Sequence, residues 1–271
     1  MRTFAFAVCL YALTLVLGVL AASERISIAQ IPVSVPQFTV TDLFIFVGVF
    51  VLMTFLMLRF GRASRLSLGI LLTLAVFAGG MFIFGAWLPW PLDILAAGIV
   101  TFATRFRPRV LPHDLGVAVG IAGISGLLGL ALTPLWAVCL LAFLSVYDII
   151  SVYRTRHMVA LAGRMLESGF IFGFLIPSHL RTFKKPVADA LTERSVMVLG
   201  SGDVGLPLVL AASSVATSLN AAFFVVGGAL IGLSIMQWLF VHQRRAMPMA
   251  ALPPIAVFSI IAYVVAVTLG V

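Results

Sequence analysis

The sequence predicts an all-α polytopic membrane protein with nine transmembrane helices, the amino terminus cytoplasmic and the carboxyl terminus external. Three observations lead there. Of 271 residues, 62% are hydrophobic and only 10% charged, whereas an ordinary soluble domain carries about 25% charged and roughly 45–50% apolar residues. The apolar residues gather in runs close to the ~20 residues that a helix needs to cross a bilayer. On a nine-helix reading, all 17 Lys and Arg residues except Arg25 fall on one side, as the positive-inside rule requires. The net charge of +8 and the pI near 10.5 would also suit nucleic acid. The basic residues, however, sit in short clusters between apolar runs, so the expected partner is the lipid bilayer and not nucleic acid. The expected location is integral and multi-pass in a membrane, the cell membrane if the chain is prokaryotic.

The elements follow in order. The first run covers 3–22. Arg2 ahead of it and Ala21, Ala22 and Ser23 behind it resemble a cleavable signal peptide, but the apolar stretch is long for one, and it reads as a membrane helix. A polar, Pro-containing loop follows over 23–40. Further spans lie at about 41–58, 66–86, 92–104, 115–133, 134–153, 203–218, 220–240 and 251–270. Between them the basic clusters alternate: Arg59, Arg62 and Arg65; Arg105, Arg107 and Arg109; Arg154 through Arg194; Arg244 and Arg245. The run 158–176 is apolar enough for a tenth span. Arg164 and Glu167 stand on one face in its middle, and charge at the bilayer centre is costly. It reads as an interfacial or re-entrant amphipathic helix. The chain 1–271 is then one transmembrane domain, with six helices over about 3–153, a cytoplasmic segment over about 154–198 and three helices over about 199–271.

Ionisable residues within such runs are functional candidates by default. Of the nine acids, Glu24, Asp189 and Glu193 are loop charges. Asp42, Asp93 and Asp114 open helices, where a carboxylate caps free N–H groups and suits the dipole. Asp148 fits neither description. It lies six residues before Arg154, roughly 9 Å below the interface at 1.5 Å per residue, with Ser145 and Ser151 three residues to either side. Asp203 follows Gly200, Ser201 and Gly202. Alone it reads equally as a helix cap, but Pro207, four residues on, cannot donate to its carbonyl, which loosens that turn. The sixth span ends where the seventh begins, so both carboxylates lie at similar depth below one face on sequential helices. Two carboxylates sharing a site do not ionise together. One acts as base on a water while its protonated partner polarises a scissile carbonyl.

At Tyr147-Asp148 and Gly200-Ser201-Gly202-Asp203 the sequence resembles the presenilin and signal peptide peptidase family of intramembrane aspartyl proteases, and looks closest to its archaeal presenilin homologues. The resemblance implies nine helices and a catalytic pair, Asp148 and Asp203, supported by Tyr147, Gly200 and Gly202. It also implies an unwound transmembrane or signal-peptide substrate, and no metal or organic cofactor. The family places a Pro-Ala-Leu motif at the start of the ninth helix. Here Ala250, Ala251, Leu252 and Pro253 stand there, with Ala250 in place of the first Pro, and they are the expected substrate-binding residues.

Other chemistries leave other marks. His-Glu-x-x-His is absent. Ser125, within Gly123-Ile124-Ser125-Gly126, resembles half of a rhomboid motif. With His113, His157, His179 and His242 all assigned to loops it lacks a base, and it reads as small-residue helix packing. Prepilin peptidases share Gly-x-Gly-Asp but commonly add paired cysteine motifs; Cys9 and Cys139 lie within apolar runs with no metal or disulfide spacing. The alternative from another class is a proton- or cation-coupled transporter using the same two aspartates. The shared depth of the pair and the lack of an internal repeat favour the protease.

Overall fold

The computed structural model describes residues 2–29, 63–106, 109–154, 171–177, 179–193, 196–242 and 249–271. The expected span 41–58 with Asp42 lies outside them, as do Arg164, Glu167 and His157. Nine α-helices occur among the described residues: α1 (Arg2–Ala29), α2 (Ala63–Phe84), α3 (Leu92–Phe106), α4 (Val110–Ala131), α5 (Pro134–Ile149), α6 (Val187–Thr192), α7 (Ser201–Ser214), α8 (Leu219–Val241) and α9 (Leu252–Leu269). Five segments among them are long and apolar enough to cross a bilayer, namely Ala5–Ile28, Val110–Ala131, Pro134–Arg154, Leu219–Phe240 and Leu252–Leu269.

α4 and α7 form the middle of the molecule. α4 packs on α1, α2, α3 and α7, and α7 also meets α1, α5, α8 and α9. Close approach of α2 and α4 depends on glycine: a Cβ on Gly123 would sit 2.0 Å from the Gly79 carbonyl oxygen. Missing side chains let backbones touch, which is how helices associate where water supplies no driving force. Ser125 lies in this packed stretch, buried against Gly205 of α7, in keeping with a packing role. Tyr11, Leu15, Val76, Leu141, Leu208 and Ile255 belong to one continuous core.

α1 runs to Ala29, past the loop start expected at residue 23. Arg25 therefore lies within a helix. Its guanidinium donates to the Met81 and Phe82 carbonyls, at 3.1 Å each, and stands over the Phe82 ring. It offsets the partial negative charge at the carbonyl end of α2, which gives a role to the one basic residue that the sequence sets apart from the other sixteen.

The fold is not wholly helical. β1 (Gly173–Pro177) and β2 (Val196–Gly200) pair antiparallel, with Gly173 opposite Gly200 and Pro177 opposite Val196. The expected amphipathic helix through residue 176 is therefore corrected at its end: 173–177 is a strand, all of it buried. The run is short and bounded by Gly and Pro, and its partner contains the β-branched Val196 and Val198, which suits strands. A 3₁₀ turn, Leu180–Lys184, and α6 close a second small core of Val110, Ile171, Leu175, Val187 and Ala190. Phe183 meets Phe6 of α1 edge-on, with centroids 4.5 Å apart.

Two further expectations change. The sequence assigns Asp114 to a helix opening and His113 to a loop, yet both lie inside α4 and are buried. The helix starts five residues early because Pro112 falls in its first turn, where the missing N–H needs no partner. Asp114 accepts the Leu175 N–H at 2.8 Å, and His113 Nε2 lies 3.3 Å from the Gly173 carbonyl oxygen. Together they hold the edge of β1 that faces away from β2. Asp93 does stand in the first turn of α3.

Candidate active site

β2 delivers the chain into α7 through Gly200, the residue preceding the helix, in extended backbone. Asp203 is the third helical residue, so it does not cap the helix from in front. Its carboxylate folds back and takes a hydrogen bond from the Gly200 backbone, as the third residue of a capping box does. The space here is tight: a Cβ at Gly200 would lie 3.0 Å from Asp203 Oδ2, so the carboxylate would have to shift. Around Gly202 nothing stands within 4 Å of the corresponding position. Pro207 sits inside α7, and the Asp203 carbonyl receives instead the Tyr11 hydroxyl at 3.1 Å. Sequence reasoning identified the missing donor but not Tyr11, which comes from the other end of the chain.

Asp148 is the penultimate residue of α5. After Ile149 the helix widens into a π-turn, Ile150–Arg154, a distortion frequent at functional sites. Ser145 and Ser151 are buried beside it, and the Ser151 hydroxyl donates to the Asp148 carbonyl at 3.1 Å. Tyr147 is half-buried next to it.

α9 supplies the third part. It begins at Leu252, with Pro253 and Pro254 following. The first N–H groups of a helix have no partner within it, and two of them are absent here because they belong to proline. The Leu252 N–H points outward and donates to Asp148 Oδ2 at 3.3 Å. A helix amino terminus favours the negative charge it faces. Ala250 is buried and Ala251 half-buried at this entrance. The four residues expected at the ninth helix thus meet Asp148 through Leu252.

α5, α7 and α9 pack against one another, and the Asp148 carboxylate lies close enough to Asp203 to act on it electrostatically. A cavity of about 380 Å³ opens between α2, α4 and α7, lined by Gly120, Ser125, Phe172, Ser201, Gly202 and Gly205 among others. It reaches the Ser201-Gly202 step just before Asp203. Among the described residues no three His, Cys, Asp or Glu side chains gather as metal ligands.

A family model described as signal-peptide peptidase, presenilin aspartyl protease matches residues 6–271. No curated protein matches the chain. Among solved structures, a presenilin family intramembrane aspartate protease in a C222 space group is 24% identical, with a TM-score of 0.66 over 97% of this chain and 99% of that one. A presenilin family intramembrane aspartate protease in a P2 space group is 27% identical, with a TM-score of 0.62 over 96% of each chain. Convergence of α5, α7 and α9 on two aspartates, the membrane-length apolar helices and a family match over nearly the whole chain agree: this chain belongs to the signal-peptide peptidase and presenilin family and is an intramembrane aspartyl protease.

Proposed function

We propose that Asp148 and Asp203 are the catalytic dyad, and that the protein hydrolyses a peptide bond within a transmembrane segment of a membrane protein or signal peptide. The observation that carries this reading is the approach of the Asp148 carboxylate to Asp203, each on its own helix and each held by a separate backbone N–H. The pair shares one proton. The ionised carboxylate removes a proton from water, whose oxygen attacks the scissile carbonyl carbon. The protonated carboxyl gives its proton to the carbonyl oxygen. Collapse of the tetrahedral gem-diol breaks the C–N bond: one hydroxyl returns its proton to the carboxylate that protonated the carbonyl oxygen, and the proton taken from water passes to the leaving nitrogen, so the dyad ends with one proton, as it began.

The substrate helix has to open before this happens, because helical carbonyls are engaged with their own N–H groups. The sheet offers a place for the opened segment. His113 and Asp114 cover the outer edge of β1, while the backbone of Val196 and Val198 faces away from β1 along β2, and Val198 is exposed. An extended substrate segment added there as a strand runs toward Gly200 and the dyad. The cavity beside Ser201 and Gly202 suits apolar side chains entering from the bilayer. The one-sided basic clusters orient the chain with its amino terminus in the cytoplasm, which puts the dyad below the cytoplasmic face and gives water its shortest route. Residues 1–271 act as a single protease domain. Tyr147 steadies the Asp148 end of the dyad, and Ala250, Ala251, Leu252 and Pro253 shape the entrance opposite it.

The test is cleavage of a single-span substrate by the full chain in liposomes. The unaltered protein cuts it, and Asp148→Asn and Asp203→Asn each abolish cutting. Ordinary turnover in either variant overturns the dyad. Proton uptake into the liposomes that depends on both aspartates, without cleavage, would mark a transporter.

A further inference from the structure

We propose that Tyr11, on the first helix, is a positioning residue for Asp203, its phenol standing in for the backbone donor that Pro207 lacks. The inference rests on the reading of Asp203 as half of the dyad. In an α-helix the carbonyl of residue i accepts the N–H of residue i+4. For Asp203 that residue is Pro207, which has no N–H. A buried carbonyl left unpaired is costly, and a carbonyl that turns to seek a partner takes its peptide plane, and the Cα–Cβ direction beside it, along. At most positions such a tilt is harmless. Here the side chain that would swing is Asp203.

Tyr11 is fully buried within the main core, and its hydroxyl donates to the Asp203 carbonyl at 3.1 Å across 192 positions of sequence. The contrast one turn along α1 is instructive. Thr14 is equally buried, but its hydroxyl goes to Leu10 of its own helix at 2.8 Å. Of two buried hydroxyls on α1, one closes a local bond and the other reaches the single helical carbonyl on α7 that proline deprives. Asp203 is then gripped twice, at its carboxylate by the Gly200 backbone and at its carbonyl by Tyr11. The first helix thereby contributes to the geometry of the dyad.

The experiment is a double-mutant cycle on the full chain in liposomes, with a fluorogenic peptide carrying one apolar span of about 20 residues as probe. Tyr11→Phe keeps the ring and removes the hydroxyl. It lowers kcat about 10- to 100-fold, the sensitivity expected of reacting groups displaced by about 1 Å, and leaves KM unchanged. Pro207→Ala restores the i+4 N–H. In that background the loss caused by Tyr11→Phe shrinks to about twofold or less, because the carbonyl already has a donor. Thr14→Val keeps the kcat of the unaltered chain. Thermal unfolding of the same four chains gives the same coupling: Tyr11→Phe lowers Tm when Pro207 is present and leaves it in place when it is replaced. Equal losses in both backgrounds, or full kcat in Tyr11→Phe, overturn the proposal. Failure of the protease reading looks different: the unaltered chain leaves the probe intact, and the Tm cycle alone then decides whether Tyr11 serves the Asp203 carbonyl.

Discussion

Asp148 and Asp203 stand on helices of opposite character. The span that carries Asp148 is mostly unburied, with 28% of its 18-residue apolar stretch buried, and the same holds for α9, which supplies the N–H to its carboxylate. Phe143, Val146 and Ile149 on α5 are exposed, a surface suited to lipid. α7 is short, yet from Val204 to Ser214 every residue except Leu206 is buried. Asp203 is held by its own chain at Gly200 and by Tyr11 from the core, whereas Asp148 is held by a single N–H between two peripheral helices. The two halves of the site therefore depend on different physics. The inner half is fixed by packing. The outer half depends on how α5 and α9 lie against each other, and it is the half with less to resist a shift.

The comparison breaks most readily at Leu208. Its side chain is fully buried and presses on Gly18 of α1, where a Cβ would lie 2.7 Å away. Leu208→Ala leaves a cavity between α1 and α7 and costs about 2–5 kcal/mol, read by denaturant or thermal unfolding. A cost under about 1 kcal/mol would mean that α7 is not the rigid half. The next effect is on activity. In Gly200→Ala the new methyl meets Asp203 Oδ2, and kcat falls about 100-fold while the fold holds. Gly202→Ala meets open space instead. Its unfolding transition stays where it was, and a rise in KM without a fall in kcat would place the substrate backbone against that glycine. If Gly202→Ala unfolds the protein, the local geometry described for the motif is wrong.

How far the sequence reached follows the same division. Asp148 stood out because no loop or helix start accounts for an acid so near the end of an apolar run, and the structure puts it one residue from the end of α5. Asp203 was marked by its glycines. Tyr11 was not legible, since Pro207 announces that a donor is required but says nothing of where it comes from, and an aromatic residue in an apolar helix looks like core. The strand 173–177 was hidden inside a longer apolar run, because periodicity does not separate a short buried strand from a buried helix; only its partner, more than twenty residues on, makes it one. Asp114 differs for a local reason: the apolar run reads as a span from about residue 115, whereas Pro112 already falls in the first turn of a helix that begins at Val110.

Asp114 gives the next test in size. Its Oδ1 accepts the Leu175 N–H, so Asp114→Leu leaves that N–H unpaired in a buried place and costs about 1–3 kcal/mol. Asp114→Asn keeps an acceptor at the same position and costs less. Amide exchange at Leu175 distinguishes a local effect from a global one: in Asp114→Leu the protection of β1 falls before that of α7. Loss of protection in α7 at the same rate would show that sheet and inner helix open as one unit, and would join the small core to the rigid half of the site.

The smallest expected effect is the most direct check on the outer half. Val146 lies two residues from Asp148 and is 57% exposed. In a bilayer, lipid tails are as apolar as the side chain they touch, so trimming Val146 creates no cavity and leaves no polar group unpaired. Val146→Ala shifts stability by less than about 0.5 kcal/mol and leaves turnover as it was, although the change lies only two residues from Asp148. A loss of a kcal/mol or more would show that this face of α5 is packed against protein, whether a second copy of the chain or residues outside those described. In that case Asp148 would be as firmly held as Asp203, and the contrast between the two halves would disappear.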